Sequence, residues 1–336
     1  MEKSNIKIIF FGTSEFAVPA LKYLIQNGYD IIAAVTQPEK PAGRARITMP
    51  SPIKKVALES HIPAFEPHNL KDEDFFKQFK RLAPDIAVVA SYGKIIPKNY
   101  LEIPKYGFLN IHPSLLPKYR GPSPIQTAIL NGDPVPILST DRHSEKVRDW
   151  CGAGKETGVT IMLMDDKIDH GPILSSKSYC LLPTTYYTQA EKELAELGGE
   201  LLLEVLQKYI AGEIKPKEQD HSQATFTKML TREDGKISWH RSAQEIYNQV
   251  HALNPEPGTW TTWKSNVFNI TEVQPRYTEV EPRYSPGIVV DIGNNIAVAT
   301  KKCYLILKQI QLEGGKVMDV RSFVNGHPDF LNSQLG

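Results

Sequence analysis

The chain has 336 residues, 41% of them hydrophobic, and a formal net charge of +1. That length exceeds one domain of about 100–200 residues, so two domains are expected. The near-neutral balance does not announce a polyanionic partner, although it leaves room for a local basic patch. Three widely spaced cysteines, Cys151, Cys180 and Cys303, lack metal-ligand spacing; they predict reduced thiols in a cytoplasmic protein. The amino terminus runs into an apolar strand without a charged leader, and no apolar run nears the roughly 20 residues that span a bilayer.

In chain order, KIIFFG (7–12) reads as a buried strand, FAVPALKYLIQNG (16–28) as a helix ending at glycine, and YDIIAAVTQ (29–37) as a second strand. This strand–helix–strand rhythm predicts a parallel sheet. PSPIKKVALESH (50–61) and DEDFFKQFKRLA (72–83) read as helices, PDIAVVASYG (84–93) and GFLNIH (107–112) as strands, and SPIQTAILNG (123–132) as a helix. TGVTIMLMD (157–165) and PILSSKSYCLL (172–182) follow as strands, then a long amphipathic helix over 189–212. The polar stretch EIKPKEQDHSQ (213–223) reads as a linker. Beyond it come one helix, 242–253, and short strands with turn signals, which predict a small β-barrel. The segment 134–154 is polar, aperiodic and far longer than the usual connection of about 2–6 residues.

Chemistry concentrates at two strand ends. Asn110 and His112 lie at i and i+2, so their side chains share one face of a strand. The C-terminal end of such a strand is where open α/β sheets bind ligands. MDDKIDHGPIL (164–174) delivers Asp165, Asp166 and Asp169 beside a tight Gly171 turn. A carboxylate there would orient a histidine or relay a proton through water. An Asn-X-His alone is more often a turn cap beside a core histidine, and an Asp-Gly turn alone is a common hairpin. Together they predict an acyl-transfer site. SLLP (114–117) is an apolar loop suited to a flat heterocycle, or simply a surface loop with two buried leucines. TQPEKPAGRARITMPSPIKK (36–55) carries Lys40, Arg44, Arg46, Lys54 and Lys55, and reads either as a solvated loop or as a basic loop reaching for phosphates. The first strand–helix turn, FFGTSEF, lacks G-x-G-x-x-G, so a dinucleotide cofactor is not supported.

NIHPSLLPKYRGPSPIQ with MDDKIDHGPIL resembles the folate-dependent formyltransferases. The TQPEKPAGR loop and the tail FTKMLTREDGKISW, HALNPEPGTW, PGIVVDI and LEGGKVMDVRSFVNGH resemble the branch that acts on methionyl-tRNA. The likeness covers nearly the whole chain except 134–154. It implies an α/β fold: a Rossmann-like formyltransferase domain over 1–212, the linker, and an OB-like tRNA-binding β-barrel over 224–336. It implies formyl transfer from 10-formyltetrahydrofolate, without a metal, to the amino group of methionine on initiator tRNA, by a cytoplasmic monomer. Carried over residue by residue, the catalytic set falls on Asn110, His112 and Asp169, the folate loop on Ser114, Leu115, Leu116 and Pro117, and the tRNA-contacting arginine on Arg44. Here RARIT follows the loop glycine, and Glu256 stands where the family usually has an aromatic residue. The segment 134–154 is an insertion by the same comparison. It is expected to leave the sheet at the edge opposite the catalytic strand ends, to be mobile, and to be dispensable for turnover. A formyltransferase for a small amine (glycinamide ribonucleotide or an amino sugar) would share the N-terminal site without needing the basic loop and this barrel. A non-catalytic folate- or RNA-binding module is compatible with an OB-like domain, but the intact Asn-His-Asp set argues against it.

Overall fold

The computed structural model describes residues 6–39, 41–42, 47–132, 156–182, 184–276 and 282–336. The insertion 134–154 and Arg44 therefore lie outside the described residues. The chain divides into two compact units, the first taking in residues up to Pro124 with Glu156–Cys180 and Glu191–Lys228.

In the first unit β1 (Lys7–Gly12) leads through a short turn to α1 (Val18–Gln26) and β2 (Asp30–Val35). The two-residue strands β3 (Pro41–Ala42) and β4 (Ile47–Thr48) pair with each other. Then come α2 (Pro52–Glu59), β5 (Ala64–Phe65), α3 (Glu73–Leu82), β6 (Ile86–Ala90), α4 (Lys98–Leu101) and β7 (Phe108–His112). The strands β8 (Glu156–Leu163) and β9 (Ile173–Cys180) and the long α6 (Tyr187–Ile210), from Glu191 on, follow; the helix α5 (Pro124–Leu130), which precedes β8 in the chain, is grouped with the second unit from Ile125 on. The helix starts have local causes. Ser51 and Asp72 accept backbone N–H groups of the first turns of α2 and α3, satisfying donors no intrahelical carbonyl can reach.

The seven strands run β5-β2-β1-β6-β7-β8-β9. The first five are parallel, as the alternation of strands and helices predicts; β8 and β9 are antiparallel. Their residues are apolar on both faces because helices cover both, and β6 is buried along its whole length. Phe11, Phe79, Tyr100 and Phe108 form a buried aromatic cluster beside them.

Two consequences follow from the antiparallel β8. His112 pairs with Thr160 and Leu109 with Leu163. Glu156, where β8 begins, therefore lies beyond His112, at the C-terminal edge of β7. The expectation that the insertion joins the sheet opposite the catalytic strand ends is reversed, because it assumed a parallel strand. Likewise the loop after β8 starts at the other edge from His112, so Asp169 does not sit at an adjacent strand end. It reaches Asn110 only because 164–172 folds back.

The glycine pair in α6 has a packing cause. A Cβ at Gly198 would come within 2.8 Å of the Ile111 Cγ2, and one at Gly199 within 2.5 Å of the Tyr23 ring. Glycine weakens a helix interior by about 1 kcal/mol, but here it lets α6 lie directly against Ile111. Because successive residues alternate faces, Asn110 and His112 are then turned to the opposite side of β7.

The segment 213–223, expected to be a linker, is hydrogen bonded into the first unit. Lys217 exchanges both backbone hydrogen bonds with Ile173, each 2.8 Å, and Gln219 is only 6% exposed. Cys303 is a free thiol, and Cys151 lies outside the described residues.

The second unit is built around Met229–Gly336. It contains α7 (Ala243–Leu253), β10 (Trp260–Trp263), β11 (Asn266–Arg276), β12 (Val289–Asp291), β13 (Ile296–Ala299), β14 (Tyr304–Leu312), β15 (Met318–Asp319) and α8 (Val320–Gly326). The strands form one antiparallel sheet ordered β10-β11-β14-β13-β12, with β15 on β14, of the OB-like kind. Ser242 and Glu245 close a reciprocal capping box at the start of α7, and the helix buries Ile246 and Val250 against Phe268, Ile270 and Leu307. A second helix, α8, was not foreseen; its seven residues give little periodicity, and its signal is the Asp319 cap.

His251 is 2% exposed and lies between Tyr186 and Tyr247, with ring centroids 3.7 and 3.9 Å away. Its Nδ1 has no hydrogen-bond partner among the described residues. Burial pushes its pKa down from 6.5 to about 4, against a hydrogen bond to the Thr185 backbone. The folded state thus holds the ring neutral while the unfolded chain protonates near 6.5. The stability this contributes is complete above 6.5 and is lost as pH falls toward about 4, roughly 3 kcal/mol in all. Denaturant unfolding followed by tryptophan fluorescence, reported in this unit by Trp239, Trp260 and Trp263, should show this decline between pH 7 and 4.5. His251→Phe should flatten it.

Candidate active site

Asn110 and His112 project from the end of β7 on the face away from α6. Opposite them Asp169 occupies a left-handed backbone position, φ +48°, in the 164–172 loop. A short polar side chain tolerates that conformation better than a bulky one. Gly171 is required two residues later: a Cβ there would collide with the Leu163 carbonyl oxygen. Gly171→Ala should therefore displace the Asp169 turn. We expect a loss of about 1–3 kcal/mol in unfolding free energy, together with reduced turnover, as stability and activity assays on one preparation would read.

The three side chains meet at one atom. Asn110 Nδ2 donates to Asp169 Oδ1 at 3.3 Å, and His112 Nδ1 lies 3.6 Å from that same oxygen. The other carboxylate oxygen accepts the Gly121 backbone N–H at 2.8 Å. His112 Nε2 donates to the Tyr119 carbonyl at 3.0 Å. Both ring nitrogens therefore face acceptor oxygens. His112 is buried and Asp169 nearly so, and water screens their interaction little.

The residues alone left three aspartates open, and the structure separates them. Asp165 accepts from His170 Nδ1 at 2.6 Å. Asp166 is exposed. Only Asp169 faces Asn110 and His112.

The SLLP loop is pinned to β8. Thr160 Oγ1 donates to the Ser114 carbonyl at 2.7 Å and accepts the Leu116 N–H at 3.2 Å. Ser114 is fully buried, and its hydroxyl donates to the Lys118 carbonyl at 2.6 Å, so it closes the loop rather than facing a ligand. Leu116 is buried, while Leu115 and Pro117 keep accessible surface. Among the described residues no group of three or more His, Cys, Asp or Glu is placed to hold a metal ion.

Among the described residues of the basic stretch 36–55, Lys54 is already paired with carboxylates. Lys54 Nζ is 2.7 Å from both Glu39 and Glu66, and those carboxylates hold its pKa up. Lys54 thus anchors the base of the loop. No helix among the described residues is long and apolar enough to cross a membrane.

Sequence reasoning missed Gln219, Tyr119 and Thr225, which hold the loops bearing His112 and Asp169. Gln219 falls in the 213–223 stretch that reads as a linker; Tyr119 and Thr225 lie outside it.

The formyl transferase family model matches residues 5–206, and the model for the formyl transferase C-terminal domain matches 229–328. The methionyl-tRNA formyltransferase of Thermodesulfovibrio yellowstonii is 40% identical over 95% of this chain and 95% of that protein. That of Roseiflexus castenholzii is 38% identical over 96% of each. Among solved structures, an N-formyltransferase from Helicobacter canadensis in complex with folinic acid and dTDP-3-aminofucose superposes with a TM-score of 0.63 at 17% identity, covering 90% of this chain and 98% of that one. HypX from Aquifex aeolicus in complex with tetrahydrofolic acid gives 0.62 at 14% identity, over 98% of this chain and 48% of that one. These structures share the fold.

Proposed function

The chain belongs to the methionyl-tRNA formyltransferase family, and from this membership we propose that it transfers the formyl group of 10-formyltetrahydrofolate to the amino group of methionine on initiator tRNA, for bacterial-type translation initiation. The observation that carries the proposal is the convergence of Asn110 and His112 on one oxygen of Asp169. That arrangement offers N–H donors to a developing oxyanion next to a carboxylate.

The methionyl amine attacks the formyl carbon, the bond from that carbon to N10 of the folate breaks, and the N10 proton comes ultimately from the amine. Asn110 and a doubly protonated His112 stabilise the oxyanion of the tetrahedral state. Asp169 orients the imidazole, and a water held by its carboxylate relays the proton. Leu115 and Pro117 wall the folate, with Ser114 and Leu116 holding that loop in shape. Residues 1–212 form the catalytic domain and 224–336 the tRNA-binding domain of a cytoplasmic monomer. Arg44 contacts the acceptor stem.

Formyl transfer from 10-formyltetrahydrofolate to charged initiator tRNA, run beside a small amine acceptor, tests the proposal. Transfer to methionyl-tRNA alone is expected. Transfer only to the small amine would keep the trio and overturn the acceptor. Arg44→Ala should raise the KM for tRNA several-fold at low salt, with the difference narrowing as salt rises and kcat little changed.

A further inference from the structure

Gln219 lies on the 213–223 segment, buried, about 100 residues from one of its partners and about 50 from the other. Every hydrogen-bonding position of its side-chain amide is used. Oε1 accepts from Arg120 Nη2 at 2.7 Å and Nε at 3.2 Å. Nε2 donates to the Asp169 carbonyl at 2.9 Å and the Gly171 carbonyl at 2.7 Å. One side chain thus ties the turn that carries Asp169 to the end of the loop that follows His112.

Residues just beyond the segment, Thr225 and Thr227, hold the other half. Thr225 Oγ1 accepts the Tyr119 N–H at 2.8 Å, and Tyr119 is the residue whose carbonyl accepts from His112 Nε2. Arg120 donates its N–H to the Thr225 carbonyl at 2.9 Å and accepts the Thr227 N–H at 2.7 Å. Tyr119 and Asp169 both hold positive φ, +60° and +48°, conformations that persist only when their surroundings determine them.

We propose that Gln219 is a positioning residue for formyl transfer: its amide N–H groups fix the Asp169 turn so that the carboxylate meets Asn110 and His112. The proposal rests on the catalytic assignment of those three residues. Removing the donors leaves two buried carbonyls unpaired and frees a turn whose misplacement by about 1 Å is enough to lower turnover about 100-fold.

The amide has two halves with different jobs, and an isosteric substitution separates them. In Gln219→Glu the carboxylate keeps, and strengthens, the pairing with Arg120, but turns an acceptor toward the Asp169 and Gly171 carbonyls. A residue that merely ties down Arg120 would tolerate this change. A residue that positions Asp169 would not.

The experiment compares the full-length protein with Gln219→Glu and Gln219→Ala. It measures kcat, the KM for each substrate, and amide hydrogen exchange over 164–172 and 119–123. The expected result is a kcat reduced roughly 10- to 100-fold in both variants, KM values within about threefold of the parent, and faster exchange in those two loops alone. Turnover in Gln219→Glu within threefold of the parent would overturn the positioning role. Loss of protection throughout β1 and β6 in both variants would also overturn it, in favour of a general structural role. If the parent protein formylates neither acceptor, the functional proposal fails. The exchange measurement then decides the clamp by itself, with unchanged loop protection in both variants counting against it.

Discussion

Exchanging Asp169 for asparagine is expected to lower kcat by about 10³–10⁴, with the fold intact. The substitution is nearly isosteric, and asparagine accepts the left-handed φ of +48°. Its amide oxygen can still accept the Gly121 N–H that Oδ2 now accepts at 2.8 Å. What disappears is the negative charge 3.6 Å from His112 Nδ1 and the acceptor for Asn110 Nδ2. An N–H group would instead face two donors. Single-turnover formyl transfer, with circular dichroism to verify folding, reads this directly; a variant retaining a tenth of the parent rate would remove Asp169 from the mechanism.

Truncating Asn110 to alanine should cost roughly 10²–10³ in turnover, the usual penalty for losing one preorganised oxyanion donor. The fold should survive, because among the described residues the Asn110 side chain makes a single long hydrogen bond, at 3.3 Å, while β7 is held by parallel pairing to β6 and antiparallel pairing to β8. The loss should appear in kcat and kcat/KM together, with KM little changed, as for an interaction made only in the transition state. A loss below tenfold in Asn110→Ala would assign the amide to turn capping.

Much of the site was legible because it depends on local periodicity. Asn110 and His112 share a face by the two-residue repeat of a strand, and Ile111 between them takes the packing against α6. The aspartates were legible as a group, but not individually. Which one serves depends on the reversal of the 164–172 loop and on His170 engaging Asp165, neither of which is encoded by spacing. The direction of β8 was misread for a similar reason. An apolar run with flanking turn residues looks the same whichever way it is laid against its neighbour.

Residues 213–223 show the limit most clearly. Their composition is that of a solvated connector, and polarity ordinarily marks such segments. Gln219 is polar here because its side chain satisfies backbone groups on a loop far away in the chain, while Lys217 pairs with Ile173 through its backbone. Hydrogen bonds that close over 50 or 100 positions leave no periodic trace.

The amino-acid sequence by itself determined the two-domain plan, the strand that pairs Asn110 with His112, and, through its resemblance, the reaction class. Those features arise from short-range rules of burial, alternation and turn chemistry. Only the tertiary structure decided which carboxylate faces the pair, on which edge β8 begins, and that Gln219 joins the two loops. Those depend on how separate segments meet, where each buried polar group must find its partner wherever the chain happens to bring one.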